Sequence, residues 1–201
     1  MSQHYIGILD YGSGNTFSLK QSLHKLGYRS YFVVEPQDFA KASVLMIPGV
    51  GAFPEAMECL QRKNLMEGIY HFCQSGKTII GICLGMQLLA ARSFEHQETS
   101  GLGLIPGDVM AIDQPPWHIG WNSIQHTNVS TSFLPAESSY YFNHSYQFAA
   151  SPEFITATVN VGKPITASVQ KDNIIGFQFH PEKSQLAGFN LLATLLKVSL
   201  C

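Results

Sequence analysis

Gly81-Ile82-Cys83-Leu84-Gly85 stands where an apolar run ends and a helical pattern begins. It has the form of a nucleophile elbow with cysteine in place of serine. A tight strand-to-helix turn would expose the central side chain at the carboxyl edge of a sheet, and the flanking glycines permit a backbone crowding that a β-carbon would block. A helix starting at Leu84 would add unpaired N–H groups and a positive dipole end, which favour a thiolate and stabilise a developing oxyanion. Cysteine is also among the most often buried residue types, and a structural core thiol fits the same position.

A second constellation, His180-Pro181-Glu182, ends the apolar run Ile174 to Phe179. In extended structure positions 180 and 182 point to one side, where the carboxylate could orient the imidazole as a base needs. Pro48-Gly49-Val50-Gly51 follows another apolar run, so backbone N–H groups there could complete an oxyanion hole, although an ordinary βα turn has the same composition. Gly12-Ser13-Gly14 occupies the place of a dinucleotide fingerprint, but Phe17 stands where the third glycine is required. The other histidines, at 4, 24, 71, 96, 118, 126 and 144, make no metal-ligand spacing, and no metal or cofactor is expected.

These groups need a scaffold. Tyr5 to Asp10, Ser30 to Val34, Val44 to Pro48 and Thr78 to Cys83 are continuous, β-branched-rich runs of the kind a doubly covered parallel sheet requires. Helical patterns over Thr16 to Leu26, Leu65 to Gln74 and Leu84 to Arg92 have the length of crossovers. After Gly101 short strands dominate: Val109 to Asp113, Ile119 to Gln125, Tyr140 to Phe148, Ile155 to Val161, Thr166 to Gln170 and Ile174 to Phe179. A last helix, Gln185 to Leu200, carries apolar residues at helical spacing. The expectation is one α/β domain over residues 1–201, three-layered, with a mixed, largely parallel central sheet flanked by helices.

The 201 residues are 45% apolar and only 13% charged, about half the usual charged share of ~25%. Size scaling predicts a folded surface of ~9,400 Å² with ~70% of the unfolded surface buried. A net charge of −2 without charge blocks is a poor footprint for nucleic acid or an anionic membrane. The amino terminus lacks a basic run and a signal h-region, and no apolar stretch reaches the ~20 residues of a spanning helix, so a cytoplasmic protein is expected. Cys59, Cys73, Cys83 and Cys201 have no C-x-x-C spacing and are read as free thiols.

The two chemical motifs, with Asp10-Tyr11-Gly12-Ser13-Gly14-Asn15, Gly120-Trp121-Asn122, His144-Ser145-Tyr146 and Lys183-Ser184-Gln185, resemble the class I (triad) glutamine amidotransferases. Within them, the motifs look like the glutaminase subunits of imidazole glycerol phosphate synthases, in order and over nearly the whole chain. The resemblance implies hydrolysis of L-glutamine, with Cys83 as nucleophile, His180 as base and then acid, and Glu182 orienting His180. It implies an oxyanion site from Leu84 and the Gly49, Val50 and Gly51 backbone, and glutamine binding by Gln87, Ser145 and Tyr146. It further implies a heterodimer in which Trp121, Asn122, Tyr141 and Lys183 face a (β/α)₈ cyclase that receives the ammonia. Trp117 and Ile119 depart from the family's usual Pro and Met. Fold and triad alone leave open a specialised relative feeding another synthase, such as one forming an amidino sugar, a stand-alone cysteine hydrolase, or a non-catalytic subunit.

Overall fold

The apolar runs of the first half become strands separated by crossover helices. In the computed structural model, which describes residues 4–12, 14–113, 115–127, 131, 133–135 and 138–200, β1 (Tyr5–Leu9) leads to α1 (Thr16–Lys25), β2 (Arg29–Val33) and β3 (Val44–Gly49). Then come α2 (Phe53–Arg62), α3 (Met66–Gln74), β4 (Thr78–Cys83) and α4 (Leu84–Gln87). The second half is mostly strand: β5 (Arg92–Ser93), β6 (Thr99–Ser100), β7 (Gly107–Ala111), β8 (His118–His126), β9 (Ser139–His144), β10 (Tyr146–Ala150), β11 (Ile155–Val161), β12 (Lys163–Lys171) and β13 (Ile174–Phe177), closed by α5 (Gln185–Ser199). Ser13, Cys201 and residues 1–3 lie outside the described residues.

Nine strands form one sheet in the order β2-β1-β3-β4-β13-β12-β11-β8-β9, and a four-stranded sheet runs β10-β7-β5-β6. Pairings from β2 through β13 are parallel. Those from β13 to the β9 edge are antiparallel. This is the expected mixed α/β class, with the parallel half carrying both glycine-rich turns at the carboxyl ends of its strands. The accessible surface, 9343 Å², falls close to the ~9,400 Å² that scaling gives.

Alternation along the central strands feeds two cores. Ile6, Ile8, Val44, Met46, Ile80 and Ile82 face Leu19 and Leu23 of α1 and Leu191, Leu192, Leu195 and Leu196 of α5. Leu9, Leu45, Ile47 and Ile79 face Phe53 and Leu60 of α2, Ile69 and Phe72 of α3, and Val109 and Phe148 of the smaller sheet. Strands buried on both faces explain why their sequences read as unbroken apolar runs.

The structure departs from expectation in three elements. The helix over Leu84 to Arg92 shrinks to α4 and a tight turn, in which Leu89 N–H donates to Met86 O and Ala90 N–H to Gln87 O, because Arg92 and Ser93 are drawn into the smaller sheet beside β7. The single strand Tyr140 to Phe148 breaks at Ser145: β9 pairs with β8 in the large sheet, and β10 pairs with β7 in the small one. Helix α2 stands outside the expected elements, although Phe53, Ala56, Met57 and Leu60 carry helical spacing and are buried. Among the described residues no helix is long and apolar enough to cross a membrane.

The crossing of α4 over β3 is the tightest approach near the turn. A β-carbon on Gly85 would run into the Ile47 carbonyl, and one on Gly81 would lie 2.6 Å from Gly85 O. Both obstacles are backbone and cannot swing aside. Gly85→Ala is therefore expected to cost at least about 3 kcal/mol, seen as a lowered urea midpoint; an unchanged midpoint would mean that α4 moves freely over β3.

Candidate active site

Cys83 ends β4 with φ 54° and ψ −111°, a conformation that side-chain-bearing residues rarely adopt. Such a backbone costs about 1–3 kcal/mol and persists only where the surroundings dictate it. Here β4 is fixed by parallel pairing on both sides, Gly49 standing opposite Cys83, while the close-packed Gly85 allows α4 to leave at a sharp angle. The sulfur is left at the carboxyl edge of the sheet, 6% exposed. With α4 only four residues long, the dipole expected of a longer helix reduces to that of a single turn, and the local N–H of Leu84 carries the electrostatics.

The imidazole of His180 sits between this sulfur and a carboxylate. His180 Nδ1 lies 2.9 Å from Glu182 Oε1, and the two side chains are 2% and 3% exposed. Cys83 is close enough to the ring to act on its charge. Because a carboxylate can only accept, Nδ1 carries a proton. Burial alone would push the imidazole down, but the neighbouring Cys83 and Glu182 outweigh it and carry the group up to about 9. The pairing arises differently from the extended-strand expectation: β13 ends at Phe177, and a 3₁₀ turn over Pro181–Lys183 folds the carboxylate back onto the ring. Ser184 Oγ, donating to His180 O at 2.6 Å and accepting from Tyr141 N–H at 2.9 Å, ties that turn to β9.

A cavity of about 310 Å³ opens over the sulfur, lined by Val50, Gly51, Cys83, Leu84, Gln87, Glu95, Asn143, His144, Ser145 and Tyr146. That volume is at the lower end for ligand sites and suits a free amino acid. The expected residues Val50, Gly51, Leu84, Gln87, Ser145 and Tyr146 thus meet around one space, while Gly49 pairs with Cys83 in the sheet and is not on its wall. Gln87 Nε2 donates to Tyr146 O at 2.9 Å and to Gln178 Oε1 at 3.1 Å. Tyr11, in the first glycine-rich motif, donates its hydroxyl to Pro48 O at 3.0 Å and so anchors the strand entering Gly49-Val50-Gly51. Burial raises that phenol far above its ordinary range, keeping it a neutral donor.

Glu95 was not legible as a site residue. It is buried, its Oε2 accepts the first N–H of α2, from Phe53, at 2.8 Å, and the carboxylate also lines the cavity. The contact spans 42 residues of sequence, and a glutamate in a polar loop gives no local sign of it. The breakpoint at Ser145 is similar, since its place in the cavity follows from a change of sheet.

The residues expected to face a partner lie on the β8–β9 edge and the turn beyond it. Trp121 is 49% exposed, stands opposite Tyr141 and contacts its ring edge-on at 6.2 Å between centroids. Ile119 and Lys183 are exposed too. Asn122 is half-buried beside them; its Nδ2 donates to Asn160 O at 3.0 Å and its Oδ1 accepts from Ser123 N–H at 2.9 Å.

A buried thiol beside an imidazole–carboxylate pair, opening on an amino-acid-sized cavity, is the arrangement that the resemblance to the glutamine amidotransferases implies. Residues 7–193 match the model of the glutamine amidotransferase class-I family, and the chain belongs to that family. It is 44% identical over 188 residues to the imidazole glycerol phosphate synthase subunit HisH of Lacticaseibacillus casei, covering 91% of this chain and 90% of that protein. The subunit HisH of Desulfitobacterium hafniense is 41% identical over 192 residues, covering 93% and 91%. That of Streptococcus mutans is 40% identical over 200 residues, covering 96% and 98%. Among solved structures, PurLQS from Thermotoga maritima superposes with a TM-score of 0.80 at 18% identity, covering 98% of this chain and 99% of that one. A crystal structure of a glutamine amidotransferase gives 0.76 at 17%, with the same coverage. At those identities the likeness is one of fold.

His144 supplies a pH test. Burial first, offset by its bond to the Tyr146 carbonyl and reinforced by the neighbouring His118 and His180, pushes its imidazole down to about 4. A histidine titrates near 6.5 when unfolded, so its contribution is complete above 6.5 and is lost as pH falls towards 4, where the unfolded chain takes up the extra proton. Unfolding free energies measured from pH 7 to pH 4 should fall by roughly 3 kcal/mol more for the wild type than for His144→Asn; parallel curves would show that His144 titrates normally.

Proposed function

We propose that this chain is the glutaminase subunit of an imidazole glycerol phosphate synthase, a cytoplasmic heterodimer in which a (β/α)₈ cyclase receives its ammonia. The observation carrying the reading is Cys83, at positive φ, backed by the His180–Glu182 pair and opening onto a cavity that admits one amino acid. The catalytic roles follow from that geometry, and the choice of synthase from the similarity to HisH subunits.

Glutamine enters with its carboxamide over Cys83 and its ammonium group towards the Glu95 carboxylate, the only acid on the cavity wall among the described residues. Gln87, Ser145 and Tyr146 hold the rest of the amino-acid end. The thiolate attacks the carboxamide carbon, and the oxyanion is met by the Leu84 N–H and the backbone of Gly49, Val50 and Gly51. His180, carrying the proton it has taken from the Cys83 thiol, gives it to the departing nitrogen, and the C–N bond breaks to leave a glutamyl thioester and ammonia. His180, now neutral, takes a proton from water as that water attacks the thioester; glutamate leaves and the thiolate–imidazolium pair is restored. Glu182 holds the ring throughout.

Ammonia set free in neutral water is protonated and loses its nucleophilicity, so the reaction needs a water-excluding route to an acceptor. The β8–β9 edge, with Trp121 and Tyr141 on its outer face and Lys183 beyond it, supplies the surface for the cyclase. A stand-alone peptidase is disfavoured by Gln87 and the His144-Ser145-Tyr146 segment on the cavity wall, which match the family's binding of free glutamine.

Glutamate release is the test, measured for the chain alone and with the cyclase from the same genome, with and without the cyclase's nucleotide substrate. Low activity alone and strong activation in the loaded complex are expected; activation only by a different ammonia-accepting synthase would move the chain to a specialised relative. In the complex, Cys83→Ala should abolish release. Glu182→Gln should lower kcat about 10²- to 10⁴-fold with little change in KM, and near-normal turnover in either variant would remove the triad from the mechanism.

A further inference from the structure

A chain of hydrogen bonds runs from the β8–β9 edge to the glutamine cavity. Asn122 Nδ2 reaches His118 Nε2 at 3.3 Å, and His118 Nδ1 lies 3.0 Å from His144 Nε2 across the β8–β9 pair. His144 Nδ1 lies 2.8 Å from Tyr146 O, the carbonyl that also accepts from Gln87 Nε2. Gln87 then donates to Gln178 Oε1, and Gln178 Nε2 points at the Cys83 sulfur, 3.8 Å away.

Every proton in the histidine segment is assigned by its ends. A carbonyl oxygen only accepts, so the Tyr146 end places the His144 proton on Nδ1 and leaves Nε2 an acceptor. His118 must therefore donate from Nδ1, which leaves its Nε2 to accept. Asn122 fits that demand, because its bonds to Asn160 O and Ser123 N–H fix the amide with Nδ2 towards His118. An extra proton on either ring would set N–H against N–H, so the chain exists only with both rings neutral. Both rings are buried, and His118 stacks on Phe142 with 4.4 Å between centroids. The hydrogen bonds of the two rings run to one another, to Asn122 and to the Tyr146 carbonyl, and not to Cys83, His180 or Glu182.

We propose that His118 and His144 are positioning residues, a tautomer-locked pair through which the partner-facing strand β8 holds the Tyr146 carbonyl and the Gln87 amide in register with Cys83. The inference rests on the glutamine-binding reading of the cavity and adds the element that sets its geometry. The Tyr146 carbonyl has two donors, from His144 and Gln87. Losing the first lets the carbonyl turn with β10, and Gln87 turns with it, so the fit to glutamine is lost while the elbow stays intact. A displacement of β8 by a docked partner would travel by the same bonds.

The tautomers can be read in the wild-type complex by ¹⁵N NMR of the imidazoles. Both rings are expected in the Nδ1–H form, the minor one for free imidazole side chains, and an Nε2–H signal from either overturns the proposal. Function is tested by alkylation of Cys83 in the complex, comparing 6-diazo-5-oxo-L-norleucine, which must occupy the glutamine cavity, with iodoacetamide, which need not. His118→Phe keeps the ring stacked on Phe142 but removes the donor; it should lower the rate with the glutamine-shaped reagent about tenfold and leave the iodoacetamide rate unchanged. His118→Asn, whose amide nitrogen can stand where Nδ1 stood, should recover most of the loss. Equal effects on both reagents, or no rescue by Asn, would overturn the proposal. A wild type that does not prefer the glutamine-shaped reagent would overturn the glutamine reading itself, and the proposal with it.

Discussion

The sharp reversal of the chain at Cys83 is the constraint on which the rest of the site depends. A cysteine at φ 54° stores about 1–3 kcal/mol of strain, and three features hold it there. Parallel neighbours β3 and β13 fix the strand before it. Gly85 lets the turn after it press against the Ile47 carbonyl, and apolar cores on both faces prevent either element from relaxing. Without that packing the thiol would fall back among the buried cysteines from which its sequence position alone cannot distinguish it.

The two halves of the sheet divide the work. The parallel half supplies Cys83, the proposed nucleophile, and, one strand over, the backbone of Gly49, Val50 and Gly51, anchored by the Tyr11 hydroxyl. The turn after β13, where the pairing changes from parallel to antiparallel, supplies His180, the proposed base, and β9 and β10 supply a cavity wall that changes sheets at Ser145. Ser184 joins the His180 turn to Tyr141, so the exposed edge and the catalytic base share one set of bonds.

How much of this could be read from residues follows the range of the interactions. The elbow and the buried parallel strands were legible because glycine spacing and unbroken apolar runs are local signals. The His–Glu pair was legible as a pair, although a 3₁₀ turn makes it rather than an extended strand. Helix α2 carried a local periodicity and could have been assigned on the same grounds. Glu95 and the break at Ser145 could not. Each is set by contacts far along the chain: Glu95 caps α2, and Ser145 lies where a strand leaves one sheet for another. The helix after the elbow was overestimated for the same reason, since the smaller sheet draws Arg92 away from it.

The covalent state of Cys83 during turnover is the most direct measurement. Rapid acid quenching of the loaded complex with ¹⁴C-glutamine, followed by peptide mapping, is predicted to place one glutamyl group on Cys83, absent in Cys83→Ala. Steady glutamate release with no label on that cysteine, or with the label on another residue, would contradict the nucleophilic role on which the proposed mechanism stands.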